Sequence, residues 1–117
     1  MAQFKFALWL AYWYLQAESF DFEWDNGNLA KSKIKHGVDV DEVETVFRLK
    51  LAVPIGRQIQ PVVDEERLCV VGPSSQGRMI SIVFTLRDGR VRPISSRPAS
   101  KKEKVLYEEV SKALKSL

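Results

Sequence analysis

The segment Phe20-Asp21-Phe22-Glu23-Trp24 alternates apolar and acidic residues. A period of two predicts a strand with one buried face, Trp24 in the core. Asp25 or Asn26 is then placed to cap a helix of about ten residues, which Gly37 ends in the left-handed C′ position. Asp39 and Glu42 form a capping-box pattern, and Val40, Val43 and Phe47 follow at helical spacing, so a second short helix runs to about Phe47. Residues 49–53 fit a short strand or extended segment, and Pro54–Pro61 reads as a loop punctuated by Gly and Pro. Arg67–Val71 is a strand and Gly72–Gly77 a turn. Arg78–Leu86 is the strongest strand, with Ile80, Ile82, Phe84 and Leu86 on one face. Asp88-Gly89 marks a hairpin turn. Val91–Arg97 follows as a strand that Pro93, lacking an N–H, confines to an edge or a bulge. Ser100 and Glu103 form a second capping box, with Leu106, Val110, Ala113, Leu114 and Leu117 as the apolar stripe of a last helix. The order predicts an α+β domain: an antiparallel β-sheet with two N-terminal helices and a C-terminal helix packed on it.

Ahead of this pattern, Phe6–Leu15 is apolar and uncharged. It is shorter than the roughly 20 residues that span a bilayer, and Gln16-Ala17-Glu18-Ser19 is a poor signal-cleavage site. It fits an extra strand or helix on the core, an interfacial or partner-binding segment, or translated sequence upstream of the true start. Residues 1–19 are accordingly set apart as an apolar extension of unknown role, and 20–117 as the domain.

The 117 residues suffice for one domain with a real core. The single cysteine, Cys69, lies in an apolar run and reads as a buried inert thiol. No disulfide or Cys/His zinc cluster can form, which suits a reducing cytoplasm. The net charge of +3 conceals an asymmetry: residues 1–66 carry 7 Lys/Arg against 11 Asp/Glu, and residues 67–117 carry 11 against 4. The basic half points to a polyanion; a solvated face is the plainer reading.

No phosphate-binding glycine motif is present. Asp64, Glu65 and Glu66 read as a solvated acidic loop. Arg67, Arg78, Arg92 and Arg97 lie on or beside three successive strands, and Lys101, Lys102 and Lys104 open the adjoining helix. Arginines gathered on a sheet can hold phosphates bidentately and stabilise a transition state without metal; the ordinary alternative for Arg67 and Arg97 is ion pairing with Glu65, Glu66 or Glu103. His36, the only histidine, is either a helix C-terminal residue against free carbonyls or a proton carrier. Lys35 is a solvated helix lysine or a contact to RNA or a protein partner. Glu103 is a cap partner or a base. The ring of Tyr107 packs, while its hydroxyl is free to face the basic surface.

In sequence order, Phe22-Glu23-Trp24-Asp25, Lys35-His36-Gly37-Val38, Asp64–Arg67, Gly77-Arg78, Arg92–Ala99, Glu103 and Tyr107-Glu108-Glu109 resemble the BrnT family of bacterial toxins. The resemblance runs from Phe20 to Glu109. It implies a RelE-like fold, metal-independent endoribonuclease activity without a cofactor, and inhibition of translation. It also implies a hetero-oligomer with a BrnA-like ribbon-helix-helix antitoxin, through which alone DNA is contacted, and no membrane. Arg67, Arg97, His36, Tyr107 and Glu103 become catalytic candidates; Lys35, Arg78, Arg92, Lys101 and Lys102 become RNA contacts. Asn28 stands where the family often has Lys, Ser32 where it has Asn, and Ile94-Ser95-Ser96-Arg97-Pro98-Ala99 where it has Ile-Ser-Ala-Arg-x-Ala. These departures keep a second reading open, a decayed toxin that only binds antitoxin or RNA. A third reading, a membrane-associated domain using residues 4–15, follows from the apolar run.

Overall fold

A computed structural model describes residues 3–25, 27, 37–62 and 64–115. The elements are β1 (Gln3–Lys5), α1 (Leu8–Gln16), α2 (Val40–Arg48), β2 (Val53–Gln60), β3 (Leu68–Pro73), β4 (Met79–Arg87), β5 (Arg90–Pro98) and α3 (Lys101–Lys115). The strands form one five-stranded sheet in sequential order, antiparallel throughout. The fold is α+β, as the pattern of elements predicts.

Strand alternation sorts the side chains to two faces. Ile80, Ile82 and Phe84 of β4, Leu68 and Val70 of β3, and Val91 of β5 meet α1 and α2 in the main core. Phe47 of α2 is its hub, packing edge-on against Phe20, Phe22 and Phe84 with ring centroids 5.2–5.6 Å apart. The opposite face carries Cys69, Val71, Met79 and Val83, with Phe4 and Ile55, beneath Tyr107 of α3.

The apolar run Phe6–Leu15 contains α1, whose Leu10, Ala11 and Tyr14 are buried. Tyr14 accepts a hydrogen bond from the Ala52 N–H (3.2 Å), and burial pushes its phenol up to about 12. Lys50 closes the helix by donating to the Ala17 carbonyl. Among the described residues no helix is long and apolar enough to cross a membrane.

Several expectations are corrected. Phe20–Trp24 makes a single parallel bridge, Phe22 to Val91. Val91 donates to the Asp21 carbonyl and Glu23 donates to the Val91 carbonyl, at 2.7 and 2.8 Å. The next bond of such a ladder requires an N–H at residue 93, and Pro93 has none. Pro93 also sits on the edge strand beside a bulge, between Phe84 pairing with Pro93 and Val83 with Ser95. Residues 54–60, expected as a loop, are strand β2. Gly56 permits this: its φ is +136°, and a Cβ there would lie 2.0 Å from the Lys5 carbonyl oxygen of β1. Asp39 precedes α2 but makes no side-chain cap, and Glu42, the expected reciprocal partner, turns to Arg78. The apolar stripe of α3 is only partly used, since Leu106 and Ala113 remain exposed.

Other expectations hold. Asp88 and Gly89 both adopt positive φ in the β4–β5 hairpin, as a type I′ turn requires. Gly37 is left-handed at φ +68°. Asp25 Oδ1 accepts the Gly27 N–H at 2.8 Å, the bond an N-cap makes. The rest of the helix expected up to Gly37 lies outside the described residues.

Candidate functional site

The α3 face is the chemically equipped side of the sheet. Register aligns Val71, Ser81 and Arg97 in one cross-strand row, and Cys69, Val83 and Ser95 in the next. Thr85 pairs with Arg92 one row further. Arg67 precedes Leu68, which faces the helices, so alternation assigns Arg67 to this face at the same end as Thr85. Four residues along a strand separate the levels of Arg67 and Val71, about 13 Å.

At the other end, Arg97 grips Glu103 bidentately, Nη1 to Oε1 at 2.8 Å and Nη2 to Oε2 at 2.9 Å. Ser81 Oγ donates to Glu103 Oε2 at 2.9 Å. The Ser100 N–H donates to Oε1 at 2.8 Å, and Glu103 returns its own N–H to Ser100 Oγ at 3.2 Å, closing the expected capping box. Burial opposes ionisation of Glu103, but the Ser100 amide, the Arg97 guanidinium and the Ser81 hydroxyl outweigh it and hold the carboxyl below its ordinary range. This cluster forms one wall of a cavity of about 480 Å³ between sheet and α3. Phe4, Ile55, Val83 and Leu106 supply its apolar surface, and Lys102 stands at it as well. Cys69 also lines it, but burial pushes that thiol up to about 12, as expected of an inert cysteine.

The remaining candidates are dispersed. Arg67 is half-buried, and its buried Nε has no hydrogen-bond partner among the described residues. Glu65, an expected partner for it, instead meets Arg87 at 3.0 Å. Arg92 pairs with Asp25 at 2.7 Å and with Glu23 at 3.5 Å. Arg78 is turned to α2: Nε and Nη2 donate to the two oxygens of Glu42 at 2.6 Å, and Nη2 reaches the Gly37 carbonyl at 2.8 Å. Glu42 is only 1% exposed. Arg78 above all, against the cost of burial, keeps its carboxyl below the ordinary range, with help from the Ser74 hydroxyl. Tyr107 donates to the Leu51 carbonyl at 3.1 Å while its ring packs on the α3-face cluster. Lys101 and Lys102 are exposed at the start of α3. His36 and Lys35 lie outside the described residues, as do Asn28 and Ser32.

The structure thus gathers Arg97, Glu103 and Lys102 and places Arg67 on the same face. It adds two residues that sequence reasoning passed over. Ser81 was discoverable, because the alternation that sends Ile80 and Ile82 inward sends Ser81 to the other face. Phe4 carried no signal, since its place depends on the pairing of β1 with β2. Among the described residues no three His, Cys, Asp or Glu side chains gather to hold a metal.

The sequence profile of a family described as the ribonuclease toxin, BrnT, of type II toxin-antitoxin systems matches residues 24–103, most of the chain. The chain belongs to the BrnT family. Membership makes it a ribonuclease toxin of a type II toxin-antitoxin system, with an antitoxin as partner. A search of curated proteins found no match. The span shared with BrnT toxins holds α2, β2 to β5, the four arginines and Glu103; β1, α1, Phe4 and Tyr107 lie outside it.

Proposed function

We propose that the chain is a metal-independent endoribonuclease that cleaves RNA on the α3 face, stops translation and is silenced by a ribbon-helix-helix antitoxin. The observation that carries this reading is the bidentate Arg97–Glu103 pair on the wall of the cavity. In the proposed reaction the ribose 2′-hydroxyl attacks the adjacent phosphorus. Glu103 accepts the hydroxyl proton, the P–O5′ bond breaks, and a 2′,3′-cyclic phosphate and a 5′-hydroxyl result. A carboxyl held below its ordinary range is ionised at neutral pH but weakly basic, and transfer of Arg97 to the phosphate is what raises its basicity enough to accept that proton. Arg97 transfers its guanidinium from Glu103 to the phosphate as negative charge develops, with Arg67, about 13 Å further along the sheet, as a second cationic contact on a neighbouring phosphate. The leaving oxygen takes a proton from Tyr107 or His36. The apolar cavity beside Phe4 seats a base, and Lys101 and Lys102 hold the backbone. This use of sheet and C-terminal helix is the sense in which the domain is RelE-like.

One observation favours the binding-only reading: Arg78, Arg92 and Arg97 all hold carboxylates, which leaves less positive charge for RNA. Regulated expression in a bacterium, with growth and total RNA followed together, separates the two. Growth arrest with new RNA ends bearing cyclic phosphate, retained by purified protein in chelator and lost in Arg67→Ala and Arg97→Ala, is the expected result. Soluble, folded protein that causes neither arrest nor new ends but still binds antitoxin or RNA favours the binding-only reading.

A further inference from the structure

Helix α1 is apolar around its whole circumference. Its inner side is accounted for by Leu10, Ala11 and Tyr14. Its outer side is not: Leu8 is 73% exposed, Trp9 46%, Tyr12 67% and Leu15 57%, and Phe6, just ahead of the helix, is 57% exposed. At 3.6 residues per turn, Leu8, Tyr12 and Leu15 fall on one line with Trp9 beside it, so these side chains form a continuous stripe rather than scattered exposures. The spacing of four and then three residues is that of a coiled-coil seam. A soluble surface rarely tolerates a contiguous apolar patch of this size without a partner.

We propose that this stripe is a self-association surface, on which α1 of a second copy of the same chain packs antiparallel about a two-fold axis. Area is the first argument. At roughly 200 Å² per large apolar side chain, the five exposures amount to about 600 Å² per copy. Complete burial in two copies would remove about 1,200 Å², at the lower end for a specific interface, so the dimer is a modest, concentration-dependent one. Charge is the second. Lys5 stands before the apolar run and Glu18 after it, both exposed. Neither residue is in α1 itself, but a two-fold axis across Tyr12 brings the N-terminal end of each helix, with Lys5 before it, towards the C-terminal end of the other, with Glu18 after it, and it opposes the helix dipoles. Self-complementarity of this kind is what an isologous interface requires. Location is the third. Helix α1 lies outside the span shared with BrnT toxins, so a surface common to the family for its antitoxin does not depend on it. It packs on the sheet face opposite α3, so the pairing leaves the proposed RNA face open.

The test is sedimentation of the full chain between about 1 and 100 µM, the range in which a modest interface assembles. The expected result is a dimer of twice the 13.4 kDa chain mass, with Trp9 emission shifting to the blue as it forms. Leu8→Glu and Tyr12→Glu each place a charge in the seam and weaken the dimer about 100-fold or more, with circular dichroism and melting temperature retained. Lys5→Glu weakens it by a smaller factor, and Lys5→Glu combined with Glu18→Lys restores it. A chain that stays monomeric at the highest concentration overturns the proposal. So does a dimer indifferent to Leu8→Glu and Tyr12→Glu, or a monomer whose Trp9 emission shifts only with anionic lipid vesicles or with antitoxin. RNA cleavage by the monomeric variants is read separately, so failure of the ribonuclease reading leaves this result intact.

Discussion

Glu103→Gln separates a base from a cap. The side chain now accepts four hydrogen bonds: from the Ser100 amide, from Ser81 Oγ and from both guanidinium nitrogens of Arg97. An amide of the same shape keeps one oxygen, enough for the Ser100 cap. Its –NH₂ then faces the Arg97 or Ser81 donors, and the charge assistance is gone. The Arg97 pair is partly exposed, so solvent screening limits its contribution to about 1 kcal/mol or less. With the weakened local bonds, the expected loss of stability is about 1–2 kcal/mol, or about 3–10 °C in melting temperature for a chain of this size. The kinetic consequence differs in scale. Loss of a positioned general base costs about 10²- to 10⁴-fold in the chemical step, or about 3–5 kcal/mol. A domain stable by about 5–15 kcal/mol stays folded after losing 1–2, so a rate loss of that size cannot arise from unfolding. The assay is single-turnover cleavage of a short RNA, with thermal melting of the same preparations. A pH series adds a second readout. The Glu103 carboxyl is depressed, so its stabilising contribution is full above the ordinary carboxylate pKa and is lost as pH falls through the lower folded value. The acid limb of cleavage should fall in that same window below the ordinary range, and both should vanish in the variant. Cleavage by Glu103→Gln within a few-fold of the parent, alongside the expected drop in melting temperature, would leave Glu103 a helix cap and refute the mechanism.

Arg78→Ala leaves the Glu42 carboxylate at 1% exposure with Ser74 as its remaining side-chain hydrogen bond. It should therefore melt lower, by about 5 °C or more, than the double variant Glu42→Ala/Arg78→Ala; equal melting would show that Glu42 reaches solvent. The parent should also lose this pair's contribution as pH falls through the depressed Glu42 value, which acid titration of the melting temperature reads out. Cys69 is buried with its thiol at about 12, so alkylation at pH 8 should be about 10³-fold slower than for a free thiol and should match it once denaturant unfolds the chain. Gly56→Ala drives a Cβ against the Lys5 carbonyl at a φ of +136°, and about 2–4 kcal/mol of stability should be lost. Hydrogen exchange should rise first in Gln3–Lys5; unchanged protection there would place the strain elsewhere.

The strong strands, the Asp88-Gly89 hairpin, the Ser100–Glu103 cap and helix α2 were legible in the sequence, because each is specified by residues within a few positions. What was missed depended on distant partners. Residues 54–60 read as a loop through Pro54 and Gly56, yet Gly56 is what lets β1 cross so close to the strand. Phe20–Trp24 has a strand pattern, but Pro93, some seventy residues on, denies it the second rung of a ladder. The candidate site divides in the same way. Arg97 and Glu103 are six positions apart and met as weighed. Arg78 has no local indication that its partner is Glu42 of α2, because Glu42 reads locally as a capping-box residue for Asp39. A buried carboxylate with a bidentate guanidinium in reach satisfies more of its lone pairs there than in a solvent-exposed cap.

The same alternation that builds the core also isolates the chemistry. On β4, Ile80, Ile82 and Phe84 face α1 and α2, while Ser81 and Val83 face the cavity. Helix α1 can therefore be apolar on both sides without lining the cavity, for its inner residues bind the sheet through the opposite face. Glu103 has no such separation. One carboxylate caps α3, orients Arg97 and, in the proposed reaction, takes a proton. In the proposed reaction, giving up Arg97 to a phosphate removes one of the ties between the sheet and the start of α3, while the Ser81 hydroxyl and the Ser100 cap still hold Glu103. An antitoxin that presents a carboxylate to Arg97, or one that clamps α3 against the sheet, would interrupt that exchange without having to occupy the whole RNA path.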